Sequence, residues 1–261
     1  METKKVIDFS ITSLRCDEQI KTIVKWGKSN LSKVVCIANV HMLVEAHRNP
    51  IFGAVLHNAD LVTPDGMPLV WMMRFLGAVH QDRVAGIDVL EGVCKLAQAD
   101  GVSVYFMGSQ ASILKKMKLR LYREFPNLKI AGMTPLPFRP LTFDEDSTLI
   151  QFLNQSGAGI IFVSLGCPKQ EAWMSQHKGK VPAVMVGLGG AFPVYAGIHK
   201  RAPEFLRQAG LEWFFRLIQE PHRLWKRYFT TIPLFLWLVA QQMLDEFKHS
   251  GTVVKMQRER K

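Results

Sequence analysis

Several features that define other protein classes are absent from this sequence or scarce in it. The four cysteines (Cys16, Cys36, Cys94 and Cys167) lie far apart and form no C-x-x-C pair. This spacing argues against a disulfide framework or a zinc site and suits a reducing compartment. The N-terminus, METKKVIDFS, has no apolar signal-peptide core. The apolar run IPLFLWLVA covers only residues 232–240, well short of the roughly 20 residues that span a bilayer.

A complete dinucleotide-binding fingerprint is also missing. Gly187-Leu188-Gly189-Gly190 resembles a fragment of G-x-G-x-x-G but does not satisfy the pattern. Contact with a phosphate and close packing of a helix on a strand explain these glycines about equally well, and the same holds for Gly108-Ser109. A nicotinamide-dependent oxidoreductase therefore stays only as an alternative interpretation.

Positive charge is concentrated towards the C-terminus. The chain has a formal net charge of +11, and residues 199–261 contain twelve Lys and Arg against six Asp and Glu, a net charge of +6. A basic region of this kind suggests nucleic acid, a phosphorylated substrate or an anionic membrane surface as partner. Because tryptophans are mixed with the positive charge, the region fits a membrane surface at least as well as nucleic acid. A basic nucleic-acid-binding protein is kept as an alternative, but we expect no nucleic-acid partner.

Apolar runs in the first 190 residues resemble buried strands, and most are followed by a helical pattern. They are KVVCIANV (33–40), ADLVTP (59–64), GVSVYFMG (101–108), LKIAGM (128–133), AGIIFVSLG (158–166) and VPAVMVGLGG (181–190). Strands without polar alternation, each followed by a helix, indicate a parallel sheet with helices on both faces. The sequence predicts a Rossmann-like α/β core over residues 1–197 and a basic, aromatic-rich helical appendage over residues 198–261.

The segment ADLVTPDGMPLVW (59–71) places a turn, Pro64-Asp65-Gly66, between apolar residues on both sides. Pro, Asp and Gly are common turn residues, so a turn or a helix cap explains Asp65. The same residue follows a strand, and open parallel sheets bind ligands at the carboxyl ends of their strands. Asp65 is therefore an equally good candidate for a general base whose pKa is tuned by partial burial.

Other candidate residues also have structural interpretations. Cys167 is interpreted as a small packing residue rather than an activated thiol. Arg83 is either exposed and without function or a substrate contact, and Asp88 is expected to cap a helix. Asp144-Glu145-Asp146 matches a D-x-D metal motif, but residues 142–145 form a capping-box pattern, which assigns these acids to the start of a helix.

Three arginines of the basic region share a helical spacing. Arg216, Arg223 and Arg227 are separated by seven and four residues. On one continuous helix, at about 100° per residue, they point in nearly one direction, although Pro221 lies between them. Such a row suits phosphate clamping or lipid headgroups, and a solvated basic face explains it equally well.

Seven motifs in their expected order resemble the WecG/TagA/CpsF family, glycosyltransferase family 26. They are NVHMLVEA, ADLVTPDGMPLVW, DRVAGIDVL, LGCPKQE, GLGGAFPVYAG, KRAPEFLRQAGLEWFFRL and EPHRLWKRY. The resemblance implies a Rossmann-like core with a C-terminal appendage. It also implies inverting, metal-independent transfer of a sugar from a UDP-sugar to a polyprenyl-diphosphate-linked saccharide. The expected place is the cytoplasmic face of the plasma membrane, in cell-surface polysaccharide synthesis, with no cofactor.

The resemblance also suggests roles for individual residues. By motif match, Asp65 resembles the proposed catalytic base, and Asn39, Arg83 and Gln170 resemble site residues. Arg216, Arg223 and Arg227 resemble appendage arginines thought to meet the diphosphates. The candidate substrate-binding set is completed by residues of the glycine-rich junctions, namely Gly108, Ser109, Gly187, Gly189 and Gly190.

Two positions depart from the family pattern. Ile37 stands where some members have Thr, and Phe192-Pro193-Val194 differs from the commoner Phe-Asp-Phe. The donated sugar is implied to be N-acetylmannosamine, its uronic acid or glucose, and the sequence does not choose among them. It also leaves open the acceptor, the polymer and whether the chain forms a homo-oligomer.

Overall fold

The fold is given by a computed structural model that describes residues 1–137 and 139–258. The strands of this part are β1 (Thr3–Val6), β2 (Phe9–Thr12), β3 (Lys33–Ala38), β4 (Leu61–Pro64), β5 (Val104–Gly108), β6 (Ile130–Thr134), β7 (Ile160–Ser164) and β8 (Val184–Gly187). The last six form one parallel sheet in the order β4-β3-β8-β7-β5-β6. Each overlaps a run predicted as a strand, so the Rossmann-like α/β prediction is confirmed.

Helices connect these strands and continue beyond them. They are α1 (Cys16–Lys28), α2 (Val40–Arg48), α3 (Pro50–His57), α4 (Met67–Phe75), α5 (Gly86–Asp100), α6 (Ala111–Glu124), α7 (Phe143–Ser156), α8 (Lys169–His177), α9 (Ala191–Tyr195), α10 (Glu204–Gln208), α11 (Glu212–Gln219) and α12 (Pro221–Arg258). None of the helices in the described ranges is both long and apolar enough to cross a membrane.

The sheet is buried on both faces, which explains why its strands lack polar alternation. Successive side chains of a strand point to opposite faces, and in β3 Val34 and Cys36 belong to one apolar layer while Val35 and Ile37 belong to the other. The first layer contains side chains of α2, α3, α4, α7 and α8, and the second contains side chains of α1, α5, α6 and α9.

The N-terminal hairpin was not predicted from the sequence. Strands β1 and β2 pair antiparallel, and the hydroxyl of Thr12 accepts a hydrogen bond from the backbone N–H of Val62 at 3.2 Å. The short strands alternate in burial and carry several polar residues, so they lack the continuous apolar pattern that marks the parallel strands.

The C-terminal helices pack back onto the core. Phe235 of α12 is buried in the same apolar layer as α2. Gln242 of α12 accepts a hydrogen bond from the backbone N–H of Ile7 and donates one to the carbonyl oxygen of Lys5, both at 2.7 Å. The apolar run of residues 232–240 is thus part of α12, with one side against the core.

The three arginines do not lie on one continuous helix, which was the condition for their alignment. Helix α11 ends at Gln219 and α12 begins at Pro221, because Glu220 between them has the non-helical angles φ −133° and ψ 57°. A proline disfavours helical geometry in the residue before it, and it is well tolerated at the first position of a helix. Arg216 therefore lies on a different helix from Arg223 and Arg227.

Candidate active site

The carboxyl ends of four neighbouring strands meet around one cleft. Nine of the twelve candidate residues line this Asp65 cleft, which lies between the ends of β4, β3, β8 and β7 and the helices α11 and α12. They are Asn39, Asp65, Gln170, Gly187, Gly189, Gly190, Arg216, Arg223 and Arg227. The strand-end rule therefore brings together residues that are up to 151 positions apart in sequence, from 39 to 190, whereas Arg216, Arg223 and Arg227 reach the cleft from α11 and α12.

Asp65 is held in place by the backbone on both sides of it. Its N–H donates to the carbonyl oxygen of Ala38 at 2.7 Å, and the carbonyl oxygen of Pro64 accepts from Val84 at 2.9 Å. Gly66 follows with φ 121°, a value that favours glycine, and α4 starts directly after it. The turn thus fixes where the Asp65 side chain leaves the sheet.

The side chain of Asp65 lies where two cavities meet. One is the Asp65 cleft. The other, which we name the α4–α12 groove, lies between α4 on one side and α11 and α12 on the other, and Asn39, Glu212, Arg216 and Arg227 line both. A group at this junction is able to contact two ligands at once, one from each cavity.

The surroundings of Asp65 favour its protonated form. Burial raises the pKa of its carboxyl group to about 6, and the negative charge of Glu212 acts in the same direction. The positive charges of Arg83 and Arg216 oppose this shift. A carboxyl group with a pKa near the operating pH is suited to general base catalysis.

Arg83 connects the core to the appendage. Its guanidinium is only 12 % exposed and forms an ion pair with Glu212 of α11, while Asp88 lies 3.8 Å away. Asp88 in turn pairs with Arg201. The expectation that Arg83 is exposed is therefore wrong, and Arg83 lines the α4–α12 groove together with Asp65.

The expectation that Asp88 caps a helix is corrected by the same contacts. The capping position, directly before the first residue of α5, is occupied by Ala85, which provides no side-chain hydrogen bond. Asp88 lies within the first helical turn, where a negative charge is favourable, and its carboxylate pairs with arginines rather than with backbone N–H groups.

Gln170 is oriented by a buried acid next to it. Its side-chain carbonyl accepts from the N–H of Gly166 at 3.1 Å, and its amide donates to Glu171 at 2.7 Å. Glu171 is fully buried, and burial raises the pKa of its carboxyl group to about 7. A Cβ built on Gly187 lies 2.9 Å from the Gln170 amide nitrogen, so close approach of this side chain explains that glycine.

The three arginines differ in their partners. The Arg216 guanidinium lies so close to Gly190 that a Cβ there would be 2.9 Å from its Nη2 atom. Arg223 is more than half exposed and pairs with Glu220, with Nε donating at 2.7 Å. Arg227 has a buried Nε without a hydrogen-bond partner, and burial lowers its pKa. Among the described residues, neither Arg216 nor Arg227 has a carboxylate within ion-pair distance.

Asn39 and the β5 junction occupy less central positions. Asn39 caps α2, since its side-chain oxygen accepts from the N–H of Met42 at 3.1 Å, which leaves its amide nitrogen for the cleft. Ser109 lines a neighbouring cavity that also reaches Gly189 and Arg223. Gly108 lies behind it, packed against the backbone of Ser164.

Gly108 is expected to be essential for folding rather than for binding. A Cβ at this position overlaps the carbonyl oxygen of Ser164, and its φ is 90°. We expect Gly108→Ala to lower the free energy of unfolding by more than about 2 kcal/mol, because strain adds to a backbone clash. Urea titration is the measurement. Gly157→Ala is the control, since Gly157 has φ 64° and open space around its Cα, and a loss as large there would contradict the role of the clash.

The D-x-D pattern and Cys167 have structural roles. Thr142 and Glu145 form the predicted capping box at the start of α7, and Asp146 accepts hydrogen bonds from Trp173 at 2.8 Å and interacts with His177 at 2.9 Å. The described residues contain no cluster of His, Cys, Asp and Glu that could hold a metal ion. Burial raises the pKa of the Cys167 thiol, which agrees with a packing role and not with an activated nucleophile.

Three residues around the site were missed by sequence reasoning. Glu212 and Arg201 have partners that are remote in the sequence, and Glu171 is buried beneath the surface. Glu212 and Arg201 pair with core residues 129 and 113 positions away. An acid directly after Gln170 was visible, but nothing in the local pattern shows that it is buried.

A parallel α/β sheet with a partly buried carboxylate at its strand ends, faced by arginines of α11 and α12, is an arrangement typical of an enzyme active site and suits a phosphorylated ligand. The family model described as "Glycosyl transferase WecG/TagA/CpsF family" matches residues 4–249, and the chain belongs to that family. It is therefore a glycosyltransferase, as the motif resemblance implies. Neither the oxidoreductase nor the nucleic-acid-binding alternative finds support in the comparisons.

Curated relatives agree with this assignment. A protein of Bacillus spizizenii is 33% identical over 213 residues, which are 81% of this chain and 80% of the relative. A Bacillus subtilis protein is 31% identical over 224 residues, 85% and 83% of the two chains, and a Staphylococcus aureus protein is 27% identical over 242 residues, 90% of each. All three are named N-acetylglucosaminyldiphosphoundecaprenol N-acetyl-beta-D-mannosaminyltransferase.

Proposed function

We propose that this enzyme transfers a sugar of the N-acetylmannosamine type from a UDP-sugar to a saccharide linked to a polyprenyl diphosphate. The names of the relatives support both the sugar and the lipid-linked acceptor. The observation that carries the proposal is the position of Asp65 at the junction of two cavities, with arginines around it. Donor and acceptor enter from opposite cavities and meet at this carboxylate.

Asp65 acts as the general base in this proposal. The acceptor hydroxyl transfers its proton to the Asp65 carboxylate while its oxygen bonds to the anomeric carbon of the donor. The bond between that carbon and the UDP oxygen breaks with its electron pair, so UDP leaves with the additional negative charge. Attack opposite to the leaving group inverts the anomeric configuration.

The leaving diphosphate is stabilised by positive charge on the cleft side. Arg216 lies against Gly190 of the glycine-rich turn. Donors that meet the charge as it develops lower the barrier most effectively. Asn39 and Gln170 present fixed amide groups in the same cleft and are assigned to binding of the donor.

The appendage completes the site at a membrane in this proposal. Residues 198–261 form the appendage, and Glu212 and Arg201 fasten it to the core over residues 1–197. Trp225 and Phe229, one helical turn apart on α12, are 54 % and 76 % exposed, and Lys226 lies beside them. An exposed row of aromatic and basic residues suits the interface of an anionic membrane, here the cytoplasmic face of the plasma membrane.

A donor panel tests the proposed reaction. The purified enzyme is incubated with a synthetic N-acetylglucosaminyl-diphosphate-lipid as acceptor. The donors, tested one at a time, are UDP-N-acetylmannosamine, its uronic acid, UDP-glucose and UDP-N-acetylglucosamine. The mass of the lipid product is measured by mass spectrometry. We expect the mass increase of one N-acetylhexosamine with the first donor and release of UDP in equal amount. If transfer occurs only from another donor, the donated sugar is not of the proposed type. If no donor supports transfer, the proposed reaction is contradicted.

A further inference from the structure

The α4–α12 groove has the character of a binding site for an amphipathic molecule. Its volume is about 340 Å³, in the range of roughly 300–1,000 Å³ that is usual for ligand sites. Met67, Pro68 and Trp71 of α4 form one apolar wall, and Trp213, Ile232 and Leu236 contribute to the other. Asp65 lines both this groove and the Asp65 cleft.

The polar part of the groove is prepared for an anion. Four arginines line it (Arg83, Arg207, Arg216 and Arg227) against the two carboxylates of Asp65 and Glu212. Only Arg83 of the four is paired with a carboxylate among the residues that the structure describes. Guanidinium groups without a carboxylate partner favour a phosphate or diphosphate ligand.

Buried polar atoms without partners point to the same place. His41 Nδ1, Arg207 Nε and Arg227 Nε are buried without a hydrogen-bond partner, and all three residues line the groove. Buried polar atoms are normally hydrogen-bonded, and each exception needs an explanation. A bound anion and its water molecules satisfy these nitrogens.

The outer part of the groove is apolar and opens to the outside. Trp71 is 49 % exposed and Leu236 is 60 % exposed, so apolar surface continues from the groove to the exterior. Gly210 allows the appendage backbone to close over α4, since a Cβ there would lie 2.7 Å from Cη2 of Trp71. The groove therefore combines cationic groups with apolar surface that continues to the exterior.

We propose that the α4–α12 groove binds the diphosphate and the first isoprenoid units of the lipid-linked acceptor. This inference rests on the proposed function, because it assigns the acceptor's lipid end to a site in the same enzyme. The saccharide points inward to Asp65, and the diphosphate lies beside Arg207 and Arg227. The isoprenoid chain passes between Trp71 and Ile232 towards Leu236 and the membrane.

Binding of an isoprenoid diphosphate tests this assignment without any need for sugar transfer. Isothermal titration calorimetry of the full chain is performed with farnesyl diphosphate below its micelle concentration and with inorganic diphosphate. We expect farnesyl diphosphate to bind at least tenfold more tightly, because its chain lies on the apolar walls. Ile232→Trp fills the groove and is expected to remove this difference, and Leu236→Glu is expected to weaken binding of farnesyl diphosphate at least fivefold.

Leu244→Glu provides the matched control. Leu236 and Leu244 lie on the same helix and are each 60 % exposed, but only Leu236 belongs to the lining of the groove. Leu244→Glu is expected to bind both probes as the unchanged protein does, and thermal melts show that each variant is folded. Equal affinity of the unchanged protein for both probes, or equal effects of the two Leu→Glu substitutions, would overturn the groove assignment. Tight binding of farnesyl diphosphate together with failure of every donor would support the groove and reject only the transferase reaction.

Discussion

Asp65→Asn is expected to lower kcat for sugar transfer by about 10²–10⁴-fold with little change in KM, which is the range that a positioned general base contributes. Asparagine has nearly the same shape and keeps the turn, whose hydrogen bonds run through the backbone of residues 64 and 65. It removes only the ability to accept the proton. Initial rates of UDP release with a lipid-linked acceptor provide the measurement.

Asp144 is an exposed acid of the D-x-D pattern at the start of α7 and offers a control. Asp144→Asn makes the same chemical change at a residue that does not line the Asp65 cleft, and we expect it to retain full activity. Normal transfer by Asp65→Asn would remove Asp65 from the mechanism. A large loss of activity in Asp144→Asn would instead indicate that α7 contributes to the reaction.

The pH dependence follows from the same group. Because the pKa of Asp65 is about 6, the base is ionised above this pH, and kcat/KM of the unchanged enzyme is expected to fall about tenfold for each pH unit below it.

Glu212→Gln removes a negative charge near Asp65 and frees Arg83 from its ion pair. Both changes lower the pKa of Asp65, so the acid limb is expected to move to lower pH, and an unmoved limb would contradict this electrostatic coupling.

The stability of Asp65→Asn separates a catalytic loss from misfolding. Burial raises the pKa from 3.8 to about 6 in the folded protein, so protonation of Asp65 favours folding. This contribution is complete below about pH 4 and is lost as the pH rises through about 6. At pH 8 the asparagine variant avoids the burial of a charge and is expected to be more stable than the unchanged protein, by at most about 3 kcal/mol.

The position of Asp65 was within reach of sequence reasoning because two simple rules combine there. Continuous apolar runs followed by helical patterns identify parallel strands, and the ends of parallel strands meet at one edge. These rules also bring Asn39, Gln170 and the Gly187–Gly190 turn to the cleft. They depend only on local sequence and on the topology of the sheet.

The appendage shows where such reasoning stops. The break at Glu220 is decided by a single proline after it, and the side of the core on which α11 and α12 pack depends on contacts with distant residues. The pairing of Arg83 with Glu212 is one such contact. No periodicity of the sequence reveals this ion pair, because Arg83 lies in the segment before α5 and Glu212 lies in α11. The two residues meet only after the appendage has folded back.

The function of the glycine turn was also undecided in the sequence for a physical reason. Gly187 is explained by the approach of Gln170, whereas Gly190 leaves room for the guanidinium of Arg216. A glycine has no side chain that reports its neighbour, so packing and ligand contact look alike until the fold is known. The structure assigns the two glycines of one short motif to two different neighbours.

Arg216→Met is expected to lower kcat/KM by about 10²–10³-fold, the effect of removing one donor that stabilises charge in the transition state. The reason lies in its surroundings: Arg216 lies against Gly190 in the cleft and contributes to the field at Asp65, and no carboxylate among the described residues lies within ion-pair distance of it. Arg216→Lys keeps the charge but loses the planar fork, so we expect only partial recovery.

The three arginines are therefore not equivalent, and their substitutions are expected to rank accordingly. Arg223 is 55 % exposed and already pairs with Glu220, so Arg223→Met is expected to reduce kcat/KM less than tenfold, because exposed ion pairs contribute little. Arg123→Met, on the exposed side of α6, serves as the control without effect. Steady-state rates over a range of donor concentrations distinguish these cases. Equal losses for Arg216→Met and Arg223→Met would show that the appendage acts through its overall charge, whereas the expected ranking requires one guanidinium at the leaving diphosphate.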